Sequence, residues 1–178
     1  MKLKDYQQET KRTLPDLGNE TLNVLHMVLG MNSEFDELYN ATDDVNRSEE
    51  VTDIFWYLSN YCNLKDIDLW RVFEVIPNLY YYINLKDDYV EQLQVAISKL
   101  TDLEKKKFAY GKTIERINEL EAVCEVARRI NDCYAYFNFN PEEAMGKNIN
   151  KLKVRFPDKF TKENAINRNL VEERNVLE

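Results

Sequence analysis

Apolar positions along this chain recur at helical spacing. Residues 3 to 14 predict a first helix anchored by Tyr6 and broken by Pro15 to Gly18. Over residues 20 to 39, Leu22, Leu25, Val28 or Leu29, Met31 or Asn32, Phe35 and Leu38 form a wide apolar face. NATDDVNR, residues 40 to 47, is polar and turn-forming, and Ser48 is the expected N-cap of a second helix over 49 to 64. That helix carries Val51, Ile54 or Phe55, Leu58 and Cys62 on one stripe, with Glu50, Asp53, Tyr57 and Asn60 beside it. Asp68 is expected to open a shorter helix, DLWRVFEV, that Pro77 ends. Residues 79 to 83, LYYYI, cannot all face one way on a helix, and read as core or dimer surface rather than a base-stacking site.

Two further long helices are expected at 88 to 107 and 113 to 137. Asn140 and Pro141 form a cap followed by proline in the first turn, opening a helix that runs to Pro157. Another short helix is expected after Thr161. The fold class is therefore all-α, a helical bundle in one domain over residues 1 to 178.

Composition reinforces the pattern. Only four Gly and four Pro are present, which disfavours a sheet protein rich in turns. The net charge of −8, with both signs mixed throughout, disfavours binding to a nucleic-acid polymer. Cys62, Cys124 and Cys133 form no CxxC pair and read as buried free thiols. The N-terminus, MKLKDYQQETKR, has no signal-peptide core and no run approaches a membrane span, so a soluble cytoplasmic protein is expected.

The candidate chemistry lies in carboxylates. Glu34 and Glu37 share one helix face, as do Glu50 and Asp53 on the next helix. The spacing alone carries little weight. Chance would place about six acid-x-x-acid pairs in a chain this acidic, and only three occur, the third being Asp88 with Glu91 at a solvated helix start. Position carries more: Asp53 interrupts the apolar run Val51 to Leu58, where a carboxylate is costly unless protonated, paired or metal-bound. Antiparallel packing of the two helices would turn both pairs to one cleft. Four carboxylates without nearby His or Cys make a hard oxygen site suited to Mg²⁺ or Mn²⁺. A di-iron bundle would need Glu-x-x-His motifs; the single histidine, His26, has Asn23 three residues before it and reads as a helix-interface residue.

A worn internal repeat is also expected. Aligning Asp53 with Glu125 places Ala122 at the position of Glu50, and Lys99 and Asp102 at those of Glu34 and Glu37. Residues 88 to 150 would then echo 20 to 75 with the carboxylates largely lost.

The motifs Glu34-Phe35-Asp36-Glu37 and Glu50-Val51-Thr52-Asp53, followed by DIFWYL, resemble the ExxE and ExxD signature of MazG-like all-alpha nucleoside triphosphate pyrophosphohydrolases. NPEEAMGKNINKLKVRFP, residues 140 to 157, is similar to that family's C-terminal segment, with Lys151, Arg155 and Phe156 at its lysine, arginine and aromatic positions. The resemblance covers residues 6 to 64 and 138 to 178. Ser33 stands where the family usually has Gly, and residues 65 to 137 exceed the single intervening helix. They would be an insertion or a degenerate second repeat between the motif helices of 20 to 64 and the helix and tail of 138 to 178.

The resemblance implies Mg²⁺-dependent hydrolysis of an NTP or dNTP to the monophosphate and pyrophosphate, with Mn²⁺ as a substitute. Glu34, Glu37, Glu50 and Asp53 would be the catalytic metal ligands, and one glutamate would orient the attacking water. Lys151 and Arg155 would neutralise phosphates, and Tyr57 would pack beside the ligand. A homo-oligomer, most simply a dimer, is expected. The competing expectation is a catalytically inactive helical-bundle protein that binds a partner through the aromatic middle segment around Tyr80, Tyr81 and Tyr82.

Overall fold

Helix α1 (Leu3–Thr10) continues as a single 3-10 turn (Lys11–Thr13) before the chain opens into two long helices, α2 (Glu20–Asn40) and α3 (Asp44–Leu64). The structure, a computed structural model, describes residues 1–75 and 88–178. The remaining described helices are α4 (Leu69–Val75), α5 (Tyr89–Tyr110), α6 (Arg116–Tyr136), α7 (Pro141–Arg155), α8 (Lys162–Ile166) and α9 (Leu170–Asn175). Every regular element among the described residues is helical, as the apolar periodicity predicts.

Side-chain caps set most of the boundaries. Asn19 accepts the Leu22 N–H, Asp88 that of Glu91, Asn140 those of Glu142 and Glu143, and Thr161 that of Asn164. One boundary departs from expectation. Asp43, not Ser48, caps α3 by accepting the Asn46 N–H at 2.8 Å, so Asp44 to Arg47 are helical and only Ala41 to Asp43 link α2 to α3. Ser48 lies within the helix, where its carbonyl accepts the Thr52 hydroxyl. At the end of α5, Gly111 takes the left-handed conformation, φ 62°, that a C-cap favours.

The three-residue link forces α2 and α3 antiparallel, and α6 returns along α5 in the same way. The two hairpins pack α2 on α5 and α3 on α6 as a four-helix bundle. Met27, Met31, Val51, Ile54 and Leu58 of the first hairpin are buried against Leu93, Ile97, Leu100, Val123 and Ile130 of the second. Burial of each such side chain contributes about 1.5–3 kcal/mol. Helices α1 and α7 lie together on α3, and α9 packs on α7. About two turns past Asp53 on α3, a buried polar group ties the hairpins together. Tyr61 donates to Glu104 at 2.6 Å, while Lys65 pairs with Glu104 at 2.8 Å and Glu119 at 3.1 Å.

The four positions that the repeat aligns, Lys99, Asp102, Ala122 and Glu125, line one groove of about 850 Å³ between α5 and α6. The two aligned acids are turned onto neighbours on their own helices: Asp102 pairs with Lys105 and Lys106, and Glu125 with Arg128 and Arg129. Pro77 and Tyr80 to Tyr82 lie outside the described residues. Cys62 and Cys133 are buried free thiols as expected, whereas Cys124 is only half-buried. No helix among the described residues is long and apolar enough to cross a membrane.

Candidate active site

Where α2 and α3 face each other, Glu34, Glu50 and Asp53 each turn a carboxylate oxygen to a common point, all within 4.8 Å of one another. Glu50 and Asp53 are neighbours on α3 by their i,i+3 spacing, and antiparallel packing brings Glu34 to meet them. Crowding like charges into a half-buried corner favours the protonated forms. Burial, then the charge of Asp53, pushes Glu34 up to about 8 and Glu50 to about 9, with Glu37 adding to the first and Glu49 to the second. Glu34 and Glu50 face each other within the trio, so each carboxylate's charge disfavours ionisation of the other.

Glu37 stands apart from this trio. It is exposed one turn further along α2, where its charge acts on Glu34 and Tyr57 without its carboxylate joining the cluster.

Asp53 is held from behind by α7. Asn148 Nδ2 donates to Asp53 Oδ1 at 2.5 Å, and the Lys151 ammonium donates to Asp53 Oδ2 and to Glu49 Oε1, the latter at 3.0 Å. Burial by itself would lower the Lys151 pKa, but Asp53 and Glu49 outweigh it and hold the ammonium above the ordinary lysine value. Lys151 is fully buried. The expectation that Lys151 and Arg155 present one cationic face therefore splits. Lys151 braces the carboxylates from within, and only Arg155 lines the open cavity. Arg155 meets Glu173 of α9 through both Nε, at 3.1 Å, and Nη2. The same carboxylate accepts from Arg168 at 2.8 Å.

That cavity, about 280 Å³, has two kinds of wall. Glu34, Asp53 and Arg155 form the polar side, and His26, Trp56, Tyr57, Phe156 and Phe160 supply rings. Tyr57 stands edge-on to His26, with ring centroids 5.7 Å apart. Trp56 is fixed by its indole N–H, which donates to Thr13 Oγ1 at 3.1 Å. Burial lowers the His26 pKa, so its imidazole is neutral at pH 7.

Glu49, Asn148, Trp56 and Glu173 were not singled out by the sequence patterns. Helical spacing could have found two of them: Glu49 is four residues before Asp53, and Asn148 three before Lys151. Glu173 reaches Arg155 only through the turn and helix that follow α7, which no local spacing encodes. No protein-family model, curated protein or solved structure matches this chain.

Proposed function

We propose that this chain is a Mg²⁺-dependent nucleoside triphosphate pyrophosphohydrolase of the MazG-like kind, cleaving an NTP or dNTP to the monophosphate and pyrophosphate. One observation carries the reading: Glu34 and Asp53 of the carboxylate cluster line the same ring-walled cavity as Arg155. A ring wall, a cation and a carboxylate cluster side by side suit the base, the phosphates and the metal of one nucleotide.

The donor set fits a hard divalent cation. Three carboxylate oxygens lie within ligand reach of a shared point, and two of the acids retain protons in its absence. Glu34, Glu50 and Asp53 would hold Mg²⁺ or Mn²⁺, with Glu37 as the fourth ligand from the adjoining turn. When bound, the ion supplies charge stabilisation at the phosphates and a more acidic water.

The chain's own groups supply the rest. One of Glu34 and Glu50, ionised when the site is loaded, would take the proton of the water that attacks the α-phosphorus. The bond from that phosphorus to the bridging oxygen breaks, and pyrophosphate leaves with the oxygen. Arg155 neutralises phosphate charge from the cavity wall, while Lys151 holds the Asp53 carboxylate in orientation. Tyr57 and the facing rings accept the base by stacking.

The test is a pyrophosphate-release screen across common and modified NTPs and dNTPs with Mg²⁺ or Mn²⁺. Release from at least one nucleotide, lost in Asp53→Asn, supports the reading. A screen with no release from any nucleotide overturns it.

A further inference from the structure

Helix α1 lies outside the four-helix bundle, yet its buried Tyr6 reaches the carboxylate cluster through a single intermediary. The Tyr6 hydroxyl donates to Asn148 Oδ1 at 2.9 Å, and Asn148 Nδ2 donates to Asp53 Oδ1 at 2.5 Å. Both Tyr6 and Asn148 are inaccessible to solvent, with relative exposures of 0% and 1%. Water therefore cannot substitute for the Tyr6–Asn148 bond.

A primary amide has one accepting end and one donating end. With the Tyr6 O–H fixing the carbonyl end toward α1, the NH₂ end must face Asp53. A reversed amide would turn its carbonyl onto a carboxylate in a buried setting, which is unfavourable on both counts. Burial, reinforced by the charges of Tyr134 and Asp53, raises the Tyr6 pKa well above its ordinary value, so the hydroxyl remains a donor at any working pH. The ring itself is placed independently of the hydroxyl, stacked on Phe55 with centroids 5.5 Å apart.

We propose that Tyr6 is a positioning residue of the site. By fixing the Asn148 amide, it sets the orientation of Asp53 so that the carboxylate stays turned to Glu34 and Glu50. The inference rests on the reading that this trio holds a divalent cation. It makes the N-terminal helix a working part of the site rather than a cover for α3 and α7. Groups that hold a metal's ligands, as Asn148 holds Asp53, commonly change metal affinity by about 10- to 100-fold when altered, and Tyr6, one step further out, should act at the lower end of that range.

The test compares Tyr6→Phe, which keeps the stacked ring and removes only the hydroxyl, with Ser59→Ala. Ser59 shares a buried hydrogen bond with Thr10 of α1 at 3.0 Å and does not touch Asn148. Mn²⁺ alone is titrated into each full-length protein by calorimetry, and the Asn148 side-chain amide signal is followed by NMR in metal-free samples. Tyr6→Phe is expected to weaken Mn²⁺ binding about tenfold and to move the Asn148 amide signal, while Ser59→Ala does neither. Equal weakening in both variants, or wild-type affinity in Tyr6→Phe, overturns the proposal. A wild-type protein that binds no Mn²⁺ defeats the metal reading by itself. The amide signal then decides the connection: it stands if Tyr6→Phe and Asp53→Asn each move the signal, and falls if neither does.

Discussion

The Tyr57 ring lies so close over Gly30 that a Cβ on that glycine would sit 2.1 Å from Tyr57 Cε1. The glycine is in mid-helix, with ordinary backbone angles, so its role is the absence of a side chain rather than conformational freedom. It lets α3 lay Tyr57 across α2 one turn before Glu34, which places an aromatic wall directly beside the carboxylates.

Gly30→Ala should displace Tyr57. The gain in helix propensity, about 1 kcal/mol, is offset or exceeded by an overpacking cost of about 1–3 kcal/mol. Mn²⁺ affinity should change little, because the carboxylates are not displaced directly, whereas nucleotide binding should weaken severalfold. Calorimetry with the ion alone and KM for the nucleotide separate the two effects.

The raised carboxyls make stability pH-dependent in a defined direction. Folded Glu34 and Glu50 hold protons to about pH 8 and 9, whereas the free side chains release them near 4.5. Between about pH 5 and 9 the metal-free folded state therefore binds more protons than the unfolded state, and stability falls as pH rises. A divalent ion competes with those protons, so its stabilising effect should grow over the same window. At a hundred times its dissociation constant it should add about 2.7 kcal/mol. Melting from pH 6 to 9, with and without MgCl₂, should show Tm falling without the ion and partly recovering with it. Glu50→Gln, which removes one of the two titrations, should flatten the metal-free slope.

Glu37 and Asp53 should separate function from stability. Glu37 is exposed and outside the trio, so Glu37→Gln should leave Tm within about 1 °C of wild type, while loss of the proposed fourth ligand should reduce pyrophosphate release about a hundredfold. Asp53→Asn should abolish turnover and also destabilise the protein, because Lys151 would keep only Glu49 as a buried counter-charge. The loss should be on the order of 3 kcal/mol. Denaturant melts alongside the turnover assay distinguish the two patterns.

The helices were legible in the sequence because their apolar faces recur with a strong 3.6-residue period, as in Val51, Ile54, Leu58 and Cys62. The start of α3 was not. Asp43 and Asp44 lie in a stretch as polar as a turn, and a polar first turn on a helix leaves no apolar signal to read. At the site, Glu34, Glu50 and Asp53 were legible from the apolar setting of Asp53 and the expected antiparallel packing of their helices, whereas spacing alone would have included Glu37, which stays outside the trio. The brace behind them was not. Lys151 and Arg155 share a face by spacing, but spacing does not reveal which of two cations is drawn inward. That depends on Glu49 and Glu173, which approach from different helices.

Lys151 and Arg155 therefore predict opposite phenotypes. Lys151 is a fully buried ammonium between two carboxylates, so Lys151→Met leaves Asp53 and Glu49 facing each other uncompensated. It should cost on the order of 3 kcal/mol, and added Mg²⁺ should recover part of the loss by supplying positive charge to Asp53. Arg155 is partly open to the cavity, and its partner Glu173 keeps Arg168 as a second cation. Arg155→Met should lower stability less than Lys151→Met does, because Arg168 still neutralises the buried Glu173, and should raise KM for the nucleotide tenfold or more, through loss of phosphate neutralisation, on the order of 1.4 kcal/mol. Melting curves with and without Mg²⁺, set beside KM and kcat for both variants, give the comparison. If Lys151→Met raised KM without destabilising the fold, the buried lysine would be contacting substrate rather than bracing Asp53.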